Sequence, residues 1–202
     1  MNALANDKVG EYVGDNFVTT FLKIGTFTIA NGNKQGGNVA SYFCQPDGSV
    51  LHAIAGPVNA NDFLKEARWV VETRKLAVFE SRGDAHRFKT VFGRAHNDRL
   101  NADYGMGNWR ESRTKMVRRP TPGMSNMPSS IGDAFPDPND AMAMARINAL
   151  VVHQAANRGL DNRGKVHLLL SNYPMVKIEQ VYKYVFEKIL NEQVSTLPVV
   201  QN

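Results

Sequence analysis

Cys44 is the one cysteine in this chain of 202 residues. A lone thiol can act as a nucleophile, but it closes no disulfide within the chain and builds no all-cysteine metal cluster. Reactive thiolates form at helix N-termini or beside cations. Cys44 falls at the end of a predicted strand, so it reads as an inert, buried or half-buried thiol. The five histidines are His52, His86, His96, His153 and His167. No two of them have the i, i+4 spacing of a helical zinc site. His153 and His167 could meet across a helical hairpin, but no third ligand is evident, so they read as surface or packing residues. The sequence thus predicts no metal site. It carries no pair of acid–base carboxylates and no Ser-His-Asp order. Gly36-Gly37 and Gly105-x-Gly107 lack the strand-to-helix context and the lysine of a phosphate loop, so both read as turns and no cofactor is expected.

Charge is the other chemical feature. The net charge is +5, and the excess lies in one segment. Between His86 and Arg119 stand nine basic residues: Arg87, Lys89, Arg94, Arg99, Arg110, Arg113, Lys115, Arg118 and Arg119. Phe88, Phe92, Tyr104 and Trp109 interleave with them. Such a segment could bind a polyanion, although no nucleic-acid motif accompanies it and charge runs are usually solvated faces. Asp98, Asp103 and Glu111 read as solubilising charge.

The elements that must position these residues follow from periodicity. Hydrophobic residues make up 43% of the chain and charged residues 21%, which suits folded domains rather than disorder. No apolar run approaches the length of a membrane span. Leu4 to Asp15 predicts a helix, and Phe17 to Ile24 a strand. Asn31 to Asn38 reads as a loop. Val39 to Cys44 and Ser49 to Ala55 read as the strands of a hairpin closed by Gln45-Pro46-Asp47-Gly48. Asn59 or Asn61 caps a helix whose apolar face is Phe63, Leu64, Ala67, Val70 and Val71, with Gly83 as its stop. Five prolines between Pro120 and Pro138 predict a linker or draped loop. Asp137-Pro138 predicts the start of a helix carrying Met144, Ile147, Val151, Val152 and Ala155. Val166 to Leu170 is a short apolar piece. Ile178, Val181, Tyr182, Val185, Phe186, Ile189 and Leu190 keep an unbroken helical stripe, which must be buried against the chain itself or against a partner.

The order helix, strand, loop, strand, turn, strand, helix resembles the thioredoxin-like superfamily. The resemblance is carried by Asp7-Lys8-Val9 through Tyr12-Val13 and Asn16-Phe17-Val18, by Ser41 through Leu51, and by Gly56 with the helix after Asn61. It covers about residues 1–82. It implies an α/β organisation: an incomplete thioredoxin-like domain over 1–83, a basic segment and Pro-rich linker over 84–138, and a helical C-terminal region over 139–202.

The departures from the family matter as much. The strand and the C-x-x-C motif that precede this first helix in the family are not in the sequence. Aligned on the Pro46-Asp47-Gly48 turn, the family's substrate-binding cis-proline corresponds to Val39. A non-proline cis bond costs about 3 kcal/mol, so Val39 is expected to be trans. The gap left in the sheet would be filled by Val166–Leu170, by Ser195–Val200 or by a partner's strand. The resemblance therefore implies a binding or scaffolding module with no catalytic dithiol, meeting a protein partner or a second copy through the Ile178–Leu190 helix or an unpaired sheet edge. The alternative is a thiol–disulfide oxidoreductase whose C-x-x-C lies upstream of Met1. No secretory signal is evident in Met1 to Gly10, so a start at Met1 would imply the cytoplasm.

Overall fold

The computed structural model describes residues 3–22, 28–30, 33–35, 38–105, 135–137, 139–194 and 200–201. The chain is mixed α/β, 64% helical, with a two-stranded antiparallel sheet between helical layers.

A 3-10 turn at Ala3–Ala5 leads to α1, Asp7–Asn16, where the Asn6 side chain accepts a hydrogen bond from the Lys8 amide. Phe17 to Leu22 is non-helical, and no strand pairing among the described residues involves it. The expected strand over Phe17–Ile24 is therefore not formed in this stretch; Ile24 lies outside the described residues. Two short strands, β1 (Thr28–Ala30) and β2 (Asn33–Gln35), pair antiparallel, the second of them inside the stretch Asn31–Asn38 expected to be a loop. Val200–Gln201, β5, lies parallel to β1.

The predicted hairpin is present as β3, Ala40–Cys44, and β4, Val50–Ala55. Its turn closes through the Gly48 amide donating to Gln45 O at 2.9 Å, with Gly48 at φ +80°, where a side chain is disfavoured. Val50, Leu51, His52 and Ala53 are all buried, as expected of a strand covered on both faces. On β3, Tyr42 and Cys44 face the C-terminal helices while Phe43 packs on Phe17 and Phe63. The segment before the last helix pins the turn: Val50 N–H donates to Val176 O at 2.8 Å, and Ile178 N–H to Gly48 O at 3.0 Å.

Helix α2, Ala60–Ser81, is capped by Asn59 rather than Asn61 and ends at Arg82 and Gly83, both left-handed. Helix α3, Ala85–Tyr104, occupies the first part of the basic segment, capped by Asp84 and packed between α2 and the later helix Asn162–Asn172. That part of the segment is a helix whose inner face, Val91, Phe92, His96 and Leu100, is buried. Helix α4, Ala141–Asn148, starts three residues later than predicted. Asp140 supplies the cap to the Ala143 amide, and Asp137 instead holds the Asn139 amide. It continues through a wider π-helical turn, Ala149–Gln154, to Ala155–Asn157.

Val166–Leu170, weighed as a sheet strand, lies inside helix α5, Asn162–Asn172. Asp161 caps that helix, and Val166, Leu168, Leu169 and Leu170 are buried. Burying an aliphatic side chain of this size is worth about 1.5–3 kcal/mol, and in a helix these four still reach apolar partners in two clusters. Helix α6, Ile178–Tyr184, runs on as a π-helical turn, Val185–Ile189. Its stripe is covered by the chain's own core: Val181, Val185, Phe186, Ile189 and Leu190 are buried, and Ile178 and Tyr182 are partly so. Val50 and Ala53 share that cluster with Ile147, Leu169 and Val185, so one core joins the hairpin to the C-terminal helices.

Candidate functional site

Three elements around β4 carry polar residues on buried faces. On α2, Glu66 and Trp69 are one turn apart. On α3, His96 and Arg99 are one turn apart, with Asp103 a turn further. On α5, Arg163 and His167 are four residues apart. Spacings of three and four place each set on one helix face. The three faces converge on His52, which stands opposite Phe43 in the hairpin and stacks on it with ring centroids 6.2 Å apart.

The result is a buried histidine triad. His52, His96 and His167 are each at most 1% exposed. Their ring centroids are 5.0 to 5.5 Å apart. Trp69 presents its ring at 5.1 Å to His52 and His96 and at 5.6 Å to His167, while the Arg99 guanidinium lies 4.6 Å over the Trp69 ring. Gly164 allows α5 to approach α3: a Cβ there would lie 3.0 Å from the Tyr104 ring and 3.1 Å from Leu160 Cβ.

The hydrogen bonds assign protons. His96 Nε2 is 2.9 Å from Leu51 O, a pure acceptor, so Nε2 carries the hydrogen and Nδ1 of the neutral ring carries a lone pair. That Nδ1 is 2.8 Å from His167 Nδ1. His167 Nδ1–H is then the donor, which leaves the lone pair of His167 on Nε2. His167 Nε2 is buried with no hydrogen-bond partner among the described residues, and so is His52 Nδ1. His52 Nε2 lies 3.2 Å from Glu66 Oε2, within ion-pair range but off the line of a straight hydrogen bond.

Charge is balanced at the rim. Glu66 pairs with Arg99 and with Arg163 Nε at 3.0 Å, and Arg163 Nη2 reaches Asp103 at 2.8 Å. Two guanidinium and two carboxylate groups surround the three imidazoles. Burial pushes all three histidine pKa values down, His96 to about 3, and neighbouring cations add to the effect, so the rings are neutral at pH 7. Burial alone would raise Glu66. The His52 contact and the Arg99 charge outweigh it and hold the carboxyl at about 2, so it stays ionised.

This arrangement offers bare imidazole nitrogens backed by a carboxylate and a carbonyl, a donor set that could hold a metal ion. The three imidazoles are almost wholly out of contact with water. Neither of two surface clefts, lined by Lys89, Phe135 and Tyr173–Lys177 or by Glu187–Gln193, includes one of its residues. Of the five histidines, the sequence singled out the pair His153 and His167; His153 is exposed, and His167 meets His52 and His96 instead. The signal that could have found them is a polar residue at an apolar position of each helix, such as His167 within Val166–Leu170.

The other residues named from sequence do not gather. Cys44 is half-buried, and burial, followed by the charges of Glu179 and Asp47, pushes its thiol up to about 11. Val39 is 53% exposed, its carbonyl accepts from Gly56 N–H at 2.8 Å, and no cis peptide bond occurs among the described residues. Arg99 serves the histidine centre. Arg94 pairs with Glu80 at 2.5 Å and Arg87 is exposed. Lys89 borders the cleft at Tyr173. Arg110, Arg113, Lys115, Arg118 and Arg119 lie outside the described residues. No helix among the described residues is long and apolar enough to cross a membrane. Comparison with protein families, curated proteins and solved structures returned no match for this chain.

Proposed function

We propose that this chain is a thioredoxin-like binding or scaffolding module without dithiol chemistry of its own, which takes up an extended strand of a protein partner. The observation that carries the reading is the stretch Val18 to Leu22. It holds Val18, Phe21 and Leu22 at 102%, 89% and 78% exposure, and it joins no strand pairing among the described residues. An unpaired segment rich in apolar and β-branched residues is the substrate of β-augmentation, in which main-chain bonds give affinity and side-chain contacts give selectivity. Two further observations agree with it. The single thiol is held protonated by its surroundings rather than activated. The stripe on α6, the other surface considered for a partner, is covered from within.

Two measurements test the reading. The 202-residue chain should reduce insulin no faster than background, and clear turnover overturns the absence of dithiol chemistry. Fluorescence anisotropy against an array of extended apolar peptides should find binders, and a Phe21→Asp/Leu22→Asp variant should lose at least tenfold in affinity with an unchanged melting temperature. No binder anywhere in the array removes the strand-uptake reading. A dimer in sedimentation that the same variant dissociates makes the occupant a second copy of this chain.

A further inference from the structure

We propose that His52, His96 and His167 form a closed binding site for a first-row transition-metal dication of the zinc type. One ligand nitrogen from each histidine lies within 4.8 Å of the other two, and all three residues are buried. Nitrogens around a tetrahedral zinc ion at about 2.05 Å stand roughly 3.3 Å apart, so ring rotations and a contraction of up to about 1.5 Å complete the geometry. Two of the three lone-pair nitrogens, His52 Nδ1 and His167 Nε2, are buried without a partner. Such orphaned acceptors cost free energy in a core, and a cation satisfies them.

The outer shell favours the same assignment. Metal-bound histidines as a rule donate their second N–H to a carboxylate or a backbone carbonyl. His96 Nε2–H already donates to Leu51 O. His52 Nε2 faces the Glu66 carboxylate at 3.2 Å. In both rings this leaves Nδ1 as the ligand atom. His167 joins through Nε2 after giving up its bond to His96, because the His96 Nδ1 lone pair that would hold the ion is the one accepting the His167 Nδ1–H. Arg99 and Arg163 then have a defined part: they fix Glu66 as an outer-shell acceptor and keep it from drifting onto the metal. Neutral imidazoles with oxygen in the outer shell select a borderline ion such as Zn2+, Co2+ or Ni2+ over Mg2+ or Ca2+, which require oxygen ligands. The three histidines are each at most 1% exposed, so the site holds its ion away from solvent rather than presenting it to a substrate.

The test uses the whole chain after treatment with a chelator, in two forms: native, and refolded from denaturant with the metal present, since a closed site is most easily filled during folding. Addition of Co2+ should give the intense visible bands of a tetrahedral centre, saturating at one ion per chain. Excess Zn2+ should abolish them and raise the melting temperature, and Mg2+ should do neither. The bands should vanish in His167→Gln and in His52→Gln and persist in His153→Ala, whose side chain is exposed. Absence of bands and of any Zn2+-dependent melting shift in both forms of the unaltered chain overturns the proposal, whatever the variants do. Bands that survive in folded His52→Gln or His167→Gln also overturn it, because the metal then sits elsewhere. Neither readout involves peptide binding or insulin reduction, so this proposal and the partner-strand reading stand or fall separately.

Discussion

The tip and the middle of one hairpin differ in how they are built. At the tip, Cys44 to Ser49, the turn closes on itself, Gln45 with Gly48 and Asp47 with Ser49, and its hydrogen bonds to the rest of the chain go to one neighbouring segment, Lys177 and Ile178. Its groups stand partly in water, and the thiol is left protonated. Three residues along β4, His52 has neighbours from α2, α3 and α5, and none of its polar contacts is local. The same strand thus carries a solvated turn, where charge matters little, and a dry centre, where each polar atom must be accounted for. In this molecule chemical potential lies where long-range packing has removed water, away from its one nucleophile.

The sharpest way to break that contrast is Glu66→Ala. Glu66 is 5% exposed and holds Arg99, Arg163 and His52 together. Removing one member of a buried ionic network costs about 3–5 kcal/mol, because the remaining charges stay buried without compensation. Urea unfolding of the variant should show a loss of that size. A loss below about 1 kcal/mol, the range of exposed ion pairs, would mean that the centre is as well solvated as the tip.

The thiol sharpens the contrast from the other side. With its pKa raised from 9.0 to about 11, Cys44 holds about a hundredth of the thiolate of an unperturbed cysteine at neutral pH. Alkylation by iodoacetamide in the native chain should be slower by that factor than in the urea-unfolded chain. The native rate should rise about tenfold per pH unit and level off only near pH 11. A plateau near pH 9 would mean that the surroundings do not disfavour the thiolate.

This difference also decides what was legible in the sequence. Pro46-Asp47-Gly48 announces its turn because proline and glycine act on their own dihedrals, and the hairpin followed directly. The α6 stripe and the α2 face were equally legible, because periodicity is a property of one segment. His52, His96 and His167 are separated by 44 and 71 residues, so no window contains two of them. Val166–Leu170 misled because a short apolar run has the same composition in a strand and in a buried helix. The Asp161 cap is local, but the close approach at Gly164 to Tyr104 depends on α3. Phe17–Leu22 misled for the opposite reason: strand propensity describes a fit to a neighbour, and among the described residues no neighbouring strand pairs with it.

Gly48→Ala probes the tip with a smaller expected effect. The added methyl meets only Glu179 and Ile178 at 3.6 Å or more, so space is not the obstacle. The cost is the left-handed backbone, about 1–2 kcal/mol for a residue with a Cβ. The urea midpoint should fall accordingly. An unchanged midpoint would show that the turn relaxes out of φ +80° without consequence for β4, and so that the tip does not help to place His52.

Asp47→Asn should have the smallest effect. The Lys177 ammonium donates to Asp47 Oδ2 at 2.7 Å, and that hydrogen bond, followed by the Ser49 amide, holds the carboxyl at about 2, below its ordinary 3.8. Both partners are largely in solvent, at 62% and 43% exposure, so water screens most of the pair and its worth is about 0–1 kcal/mol. The sign follows from the depressed pKa. The folded state prefers the carboxylate, so the contribution is present above pH 3.8 and lost as pH falls toward 2. The stability difference between the chain and its variant should therefore be small at pH 7, shrink with added salt and vanish near pH 2. A difference that persists at pH 2 would have to come from the Ser49 hydrogen bonds to the Asp47 side chain, and the tip would then owe its position to turn geometry rather than charge.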